Sequence, residues 1–311
     1  MNEPDAGIEN TQSKLRKAGA ELARDICKRS LVMTVKIVTD SVSDLPPQVV
    51  KELGITVVPL NVRFGTDVYR DGVDLTTEQF FDKLVHSKIL PVTSVPSLGT
   101  FAEIYDKLAE ETDEILVITV TSKLSGTHEV ALQSIGLMKR KCRIEVVDSK
   151  LAVMGQGFIA IAAAKAALAG ANFDEVLDIV HRNIYRVDFR AAFNTLEYLR
   201  RGGRIGKAQA LLGSILKVNP IIGMKDGEVF PFGRERSRAR AIDYLYNFAM
   251  SYSHIEEMAI EYATTLDEVE MLAERLDSKF PKERIYRSRA SPVIGTHTGP
   301  SLLILTVLGD R

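Results

Sequence analysis

Residues 121–127, Thr-Ser-Lys-Leu-Ser-Gly-Thr, form the stretch whose composition best fits binding chemistry. An apolar run at 114–120 precedes it as a predicted buried strand, and apolar residues at helical spacing follow it in 128–138. Such a loop presents backbone N–H groups, hydroxyls and the positive end of a helix dipole. Because no lysine or arginine stands in a phosphate-loop register, the loop suits a carboxylate better than a polyphosphate. An ordinary capped helix start has the same composition and stays an open alternative.

Similar polar residues follow other predicted strands in the first half of the chain. They are the pairs Asp40-Ser41 and Asp148-Ser149. Strand–helix alternation from residue 35 to about 170 predicts a parallel sheet flanked by helices. Ligands bind such sheets at the carboxyl ends of the strands, so we expect these pairs to lie near Ser122 and Ser125.

A second loop rich in hydroxyls precedes a predicted helix at 99–111. Residues 91–97 read Pro-Val-Thr-Ser-Val-Pro-Ser, in which two prolines stiffen a segment that carries Thr93 and Ser94. These hydroxyls either cap the helix or face a ligand. Residues 61–77, before this loop, are predicted as a turn-rich insert.

The second half of the chain predicts an α+β region. An amphipathic helix at 173–186 precedes strands at 219–223 and 228–232, and residues 302–308 form a closing strand. Residues 292–300, with a proline at each end, are predicted as a constrained loop. The arginines at 234, 236, 238 and 240 form either a solvated helix start or a basic patch for an anionic partner.

Composition narrows the class of protein. A chain of 311 residues favours two domains, and its formal net charge of −1 gives no general reason to bind nucleic acid or an anionic membrane. Cys27 and Cys142 are far apart, which argues against a disulfide framework or a zinc site. No apolar run reaches the roughly 18 residues of a membrane span, and no signal-peptide core opens the chain. We therefore expect a cytoplasmic protein.

Familiar catalytic motifs are missing from the sequence. It contains no Walker A motif, no GxGxxG, no GxSxG and no paired histidines of a zincin. A serine-dependent acyl hydrolase that uses Ser125 and His297 remains an alternative, because such a site assembles from distant residues.

Several motifs together give the chain a resemblance to the DegV family. They are Thr-Asp-Ser-Val-Ser-Asp-Leu at 39–45, Thr-Ser-Val-Pro-Ser at 93–97, Ser-Lys-Leu-Ser-Gly-Thr at 122–127, Val-Asp-Ser at 147–149, the segment 196–205 ending in Gly-Gly-Arg-Ile, and His-Thr-Gly-Pro at 297–300. They occur in order from about residue 34 to 311. Ser301 departs from the glycine that the family commonly has after this proline.

The resemblance implies an α/β fold of two domains with the ligand between them. A parallel-sheet domain with helices on both faces is expected at 33–171, and an α+β domain at 172–311. Residues 1–32 would form an amino-terminal extension, helical or disordered. The function implied is that of the bacterial fatty-acid-binding subunit, which holds one long-chain fatty acid and does no chemistry alone. A separate kinase subunit with ATP would make the acyl phosphate for phospholipid synthesis.

The resemblance also implies which residues hold the ligand. The fatty-acid carboxylate would bind Thr93, Ser125 and Gly126. Ser94, Arg204 and His297 would complete the polar end of the site. No catalytic residue, metal or cofactor is expected. The fatty acid and the kinase subunit are the expected partners, together with transient contact to a membrane surface.

Overall fold

A computed structural model gives the fold of residues 35–212 and 218–311. Its strands are β1 (Val35–Asp40), β2 (Thr56–Val58), β3 (Asn61–Phe64), β4 (Asp67–Arg70), β5 (Val92–Ser94), β6 (Glu114–Thr119), β7 (Arg143–Asp148), β8 (Val187–Ala192), β9 (Asn219–Lys225), β10 (Glu228–Glu235), β11 (His254–Tyr262), β12 (Tyr286–Arg289) and β13 (Leu303–Asp310). Its α-helices are α1 (Pro47–Leu53), α2 (Thr77–His86), α3 (Leu98–Leu108), α4 (Thr127–Ser134), α5 (Val153–Leu168), α6 (Phe173–Ile184), α7 (Glu197–Arg201), α8 (Arg238–Met250), α9 (Leu266–Leu276) and α10 (Pro292–Thr298). The expected extension at 1–32, with Cys27, lies outside the described residues.

A parallel sheet of four strands, in the order β2-β1-β6-β7, is formed by the first half of the chain. Alternate residues of β6 enter two different apolar cores: Leu116 and Ile118 pack with α5, whereas Ile115 and Val117 pack with Phe101 of α3. Both faces of the sheet are therefore covered by helices, as parallel sheets require. The predicted fold of this half is confirmed.

A mixed sheet of six strands, in the order β10-β9-β8-β13-β11-β12, follows in the second half. Its pairs are antiparallel except β11 with β12, which is parallel. The helices α8 and α9 cover one face, while the other face shares an apolar core with α5 and the first sheet. The two sheets thus enclose a common interior. The boundary at 171/172 stays a prediction.

A third sheet, β4-β3-β5, is antiparallel and was not expected from the sequence. The prediction of a turn-rich insert at 61–77 and a loop at 91–97 is wrong at these strands. Each strand is only three or four residues long, and β5 pairs with a strand about thirty residues earlier. This register places Val62 opposite Thr93, so the small sheet fixes the loop that carries Thr93.

The segment 292–300 is also different from its prediction, because most of it is the helix α10. Ser291 caps this helix by accepting a hydrogen bond from the Ile294 N–H at 3.4 Å. Pro292 stands in the first turn, where its missing N–H costs nothing. Two prolines and two glycines in nine residues resemble a loop, but burial of the segment against its neighbours stabilises a helix.

The alanine-rich helix α5 is buried along most of its length, as the sequence predicted for a core helix. Among helices of the described residues, none has the length and apolarity needed to cross a bilayer.

Candidate functional site

A cavity of about 160 Å³ lies between the two larger sheets. Its wall is mostly aliphatic and aromatic, and includes Leu60, Val120, Ala152, Phe189, Ala191, Phe193, Ile222, Met224, Val293, Ile294 and Ile304. A single water molecule needs only about 10–15 Å³ by this measure, so the cavity has room for a much larger guest. Its apolar wall fits an apolar ligand.

Several polar side chains of this wall lie close to one another, as contacts of His297 and Arg204 with neighbouring segments show. The predicted residues found there are Thr93, Ser94, Ser125, Arg204 and His297. Gly126 does not border the cavity and instead precedes α4 as its N-cap. The structure therefore brings together five of the six predicted site residues, from four separate segments of the chain.

The clearest contact in the polar part joins Thr93 to His297. Thr93 Oγ1 and His297 Nε2 are 2.8 Å apart, although the residues are 204 positions apart in the chain. The bond connects β5 of the small sheet with the last turn of α10. This pairing needs both elements that the sequence had predicted as loops.

His297 is held as a neutral imidazole. Burial, together with the positive charge of Arg204, lowers its pKa to about 4. Its Nδ1 is buried and has no hydrogen-bond partner among the described residues. Because a buried N–H without a partner is costlier than a buried lone pair, Nε2 is assigned as the protonated nitrogen. Nε2–H then donates to Thr93 Oγ1, which leaves the Thr93 O–H free to donate to a ligand.

Arg204 connects two loops of the polar region. Its Nε donates to the Leu124 carbonyl at 3.1 Å, and its Nη1 donates to the Gly202 carbonyl at 2.7 Å. The guanidinium therefore fixes the Ser125 loop against the glycine-rich bend and places a positive charge beside the cavity.

Ser125 lies in that loop with its hydroxyl oriented by local bonds. Ser125 Oγ is 2.8 Å from Thr127 Oγ1, and it accepts a hydrogen bond from the Thr127 N–H at 3.3 Å. Asp40 supports the strand before the loop by accepting from the Val120 N–H at 2.8 Å. Burial raises the pKa of this carboxyl to about 6.

The other polar residues at the strand ends have structural roles. Ser122 Oγ donates to Asp148 Oδ2 at 2.6 Å, and Ser41 Oγ accepts from the Leu60 N–H at 3.1 Å. Ser149 Oγ accepts from the Leu151 N–H at 3.1 Å. The predicted clustering at the sheet edge is found, but these side chains brace loops and do not line the cavity.

Gly202 is a site residue whose role the sequence did not reveal. A Cβ atom at this position would lie 2.2 Å from His297 Nδ1. A side chain there would push the imidazole away, because interior atoms are already at contact distance. Glycine at 202 therefore allows the His297 ring to reach Thr93.

Replacing Gly202 with alanine is expected to break this arrangement. Its backbone (φ −73°, ψ −7°) accepts alanine, so the effect would come from the clash alone. Overpacking costs about 1–3 kcal/mol, which corresponds to a loss of several degrees in Tm. Gly136→Ala is the control, since a Cβ there has nothing within 4 Å. Melting curves and imidazole NMR resonances that match wild type in Gly202→Ala would contradict this role.

Strand β8 supplies part of the cavity wall and was absent from the prediction. Val187–Ala192 begins shortly after α6 ends, and the helix predicted at 173–186 reaches to the residue before this strand. The alternation of Val187, Phe189 and Ala191 with polar neighbours was the available signal. Phe189 and Ala191 both face the cavity.

The geometry gives no support to a serine hydrolase. His297 Nε2 is bonded to Thr93, whereas Ser125 is bonded to Thr127. No carboxylate among the described residues orients the Nδ1 atom, which a catalytic triad requires.

Two of the four arginines at 234–240 make contacts with other segments of the described chain. Arg238 makes a two-pronged ion pair with Glu268, at 2.9 and 2.6 Å, and Arg234 donates to the Ala210 carbonyl at 2.9 Å. Pairing of Arg238 favours a structural role for that residue over a basic patch.

A second pocket adjoins the polar end of the cavity and forms a groove. It shares Thr93, Arg204 and His297 with the cavity and is lined on its outer side by Leu90, Val92, Tyr198 and Arg201. A ligand group held at the polar end would therefore be next to the molecular surface.

Comparison with known proteins agrees with this architecture. Residues 34–308 match the family described as "Uncharacterised protein, DegV family". A DegV domain-containing protein of Lactococcus lactis is 38% identical over 272 residues, which are 86% of this chain and 96% of that protein. One of Caldanaerobacter subterraneus is 34% identical over 270 residues, which are 86% of this chain and 95% of that protein.

Solved structures show the same fold. A structure described as fatty acid binding of a DegV family protein from Thermus thermophilus is 33% identical, has a TM-score of 0.81, and covers 89% of this chain and 99% of its own. The DegV fatty acid binding protein from Bacillus subtilis is 28% identical, with a TM-score of 0.81 and the same coverage of both chains. The chain belongs to the DegV family.

Proposed function

We propose that this protein binds one long-chain fatty acid in the cavity, with the carboxylate at the polar end. The observation that carries the proposal is an apolar cavity in the shared core of two sheets, with Thr93, Ser125, Arg204 and His297 gathered in one part of its wall. An amphipathic ligand with a long apolar tail and one small acidic head matches that division.

Three structural relatives support this choice of ligand. The proteins from Thermus thermophilus and Bacillus subtilis are described as fatty acid binding. A third, from Eubacterium ventriosum, is described as a stearic acid-binding protein; it is 25% identical, has a TM-score of 0.79, and covers 88% of this chain and 98% of its own.

Burial of the acyl tail supplies most of the binding free energy in this proposal. Each buried methylene contributes about 0.8 kcal/mol, so ten methylenes contribute about 8 kcal/mol before the costs of association. The buried head group must in turn be satisfied by hydrogen bonds. The Thr93 and Ser125 hydroxyls and the charge of Arg204 are the groups assigned to it.

A separate kinase subunit with bound ATP then acts on the presented carboxylate. One carboxylate oxygen forms a bond to the γ-phosphorus, the bond from that phosphorus to the β,γ-bridging oxygen breaks, and ADP leaves with its electron pair. The products are acyl phosphate for phospholipid synthesis and ADP. This chain holds and orients the substrate and does not catalyse the transfer. The groove beside Thr93 and His297 offers the approach. Cytoplasmic location and transient contact with a membrane belong to the same proposal.

Ser125→Ala is expected to impair acyl phosphate formation more than it impairs binding of the fatty acid. Loss of one hydrogen bond to a charged group costs about 1.5–3 kcal/mol at most, whereas the tail contacts stay intact. Oleate should remain bound, while formation of acyl phosphate with a partner kinase should fall because the head group is misoriented. Affinity is measured by calorimetry and turnover by release of ADP.

Ser122→Ala is the matched control. The Ser122 hydroxyl lies in the same loop, but it donates a hydrogen bond to Asp148 and does not line the cavity. Normal turnover of Ser125→Ala with a partner kinase would remove the role given to Ser125.

A further inference from the structure

Three carboxyl groups meet at the place where the three sheets join. Asp44 follows β1 and its adjoining turn, Asp71 follows β4, and Glu261 lies near the end of β11. Their exposed fractions are only 6%, 3% and 0%. We call them the carboxyl cluster. None of the three borders the cavity, so the proposed ligand site leaves them unexplained.

The hydrogen bonds of the cluster are incomplete. Asp44 Oδ1 accepts from the Ser291 N–H at 3.2 Å, but its Oδ2 has no partner in 35–212 and 218–311. Neither oxygen of Asp71 makes a hydrogen bond of normal geometry within the same residues, although the Ser41 and Ser291 hydroxyls and the Val293 N–H lie close to it. Glu261 is better satisfied, because it accepts from the Met154 N–H at 3.0 Å and from the Thr306 hydroxyl at 3.2 Å.

The arginines near the cluster form ion pairs with carboxylates outside it. Arg70 precedes Asp71 but pairs with Asp74 at 2.8 Å, and Arg289 on β12 pairs with Glu78 on α2. The next carboxyl group, Asp40, adds a further negative charge toward Asp71. The described residues contain no group of three or more His, Cys, Asp or Glu arranged to hold a metal ion.

Protonation is the remaining way to neutralise these groups. Burial raises the pKa of Asp71 to about 7 and that of Glu261 to about 8. It also raises the pKa of Asp44 well above its usual range, and the negative charge of Glu261 adds to this. Near pH 6 Asp71 and Glu261 are therefore largely uncharged, whereas near pH 8.5 both carry a negative charge beside Asp44 in a dry interior.

Helix α10 links the cluster to the cavity. Its cap, Ser291, donates its backbone N–H to Asp44, and the Val293 N–H and the Ser291 hydroxyl lie next to Asp71. Further along the same seven-residue helix, Val293, Ile294 and His297 form part of the cavity wall. A shift of the first turn of α10 would therefore also move the side chains that this helix contributes to the cavity wall.

We propose that the carboxyl cluster is a proton-controlled latch, which keeps the sheets and α10 closed around the ligand when protonated and loosens them when ionised. The buried charge of an ionised Glu261 acts on Asp44 between the first sheet and the six-stranded sheet. The buried charge of an ionised Asp71 acts on Asp44 at the first turn of α10. The effect on ligand exchange depends on the fatty-acid function proposed above, but the effect on stability does not.

The direction of the pH effect follows from linkage. The pKa of Asp71 is higher in the folded chain than in the unfolded one, so the folded state binds the proton more tightly. The stabilisation is complete below about pH 4, is lost as the pH rises toward 7, and stays lost above that. Glu261 extends the loss to about pH 8.

The test uses the full chain with Asp71→Asn, and Glu261→Gln as a second variant in case the first folds poorly. Asp67→Asn, an exposed aspartate on β4, is the control. Ligand-free Tm is recorded from pH 6 to 8.5, and dissociation of cis-parinaric acid is followed by fluorescence after addition of excess oleate. We expect dissociation from wild type and from the control to become about tenfold faster over this range, and only about threefold faster in each cluster variant, because each variant removes one of the titrating groups.

The two readouts distinguish the possible failures. Equal pH slopes of Tm in wild type and in both cluster variants would overturn the latch. If the cluster variants had a smaller pH slope of Tm than wild type but the same pH dependence of dissociation, the link between the cluster and ligand exchange would be overturned. If cis-parinaric acid bound at no pH, the proposed function would fail, while the Tm slopes would still decide whether the cluster acts as a pH-sensitive latch.

Discussion

Ala191→Phe should abolish tight binding of long-chain fatty acids, with a loss of affinity of at least about a hundredfold. On β8, Ala191 lies between Ile222 of β9 and Ile304 of β13, and all three side chains face the cavity. The small alanine leaves space in this row, which a phenylalanine would occupy. Displacing four methylenes of the acyl tail removes about 3 kcal/mol of binding free energy.

A second substitution at the same position distinguishes filling of the cavity from misfolding of the variant. Ala191→Val adds less volume and should cause a smaller loss of oleate affinity, measured by calorimetry. Filling an empty cavity stabilises a folded protein, so the ligand-free Phe variant should melt at or above the Tm of wild type. Wild-type affinity in a well-folded Phe variant would show that the tail lies elsewhere.

Thr93→Val should impair the head-group site while leaving the tail site intact. The change keeps the shape of the side chain but removes both the acceptor for His297 Nε2 and the donor assigned to the carboxylate. A hydrogen bond to a charged group contributes about 1.5–3 kcal/mol, so oleate affinity should fall roughly tenfold to hundredfold. Formation of acyl phosphate with a partner kinase should fall further, because the carboxylate loses its orientation.

Thr93→Ser is the matched control, since it restores the hydroxyl without the methyl group. It should recover most of the affinity and turnover. If Thr93→Val binds oleate like wild type and supports full turnover, the assignment of Thr93 to the carboxylate is wrong.

Local pattern was enough to predict the parallel sheet. The strand β6 has a continuous apolar run, β1 and β7 are rich in valine and isoleucine, and the buried residues of these strands alternate between two helical layers. The three-stranded sheet could not be found in this way, because it depends on pairing between Val62 and Thr93. Such pairing leaves no periodic trace in four residues of a strand.

The site was predictable in its residue types but not in its geometry. Ser125 and Thr93 were recognised as hydroxyls before helices, and the family resemblance pointed to Arg204 and His297. Their contact depends on α10, which lies in a segment whose glycines and prolines are typical of a loop. The carboxyl cluster was invisible for a different reason: aspartates in turns are common, and only the fold shows that Asp71 is buried without a hydrogen bond of normal geometry.

The most direct test of the account is a crystal structure of the protein with oleate. We expect one molecule in the cavity between the two larger sheets, with carboxylate oxygens at about 2.5–3.0 Å from Thr93 Oγ1 and Ser125 Oγ and the tail beside Ala191 and Ile304. A carboxylate at the opposite end of the cavity, or oleate bound only outside it, would contradict the central claim.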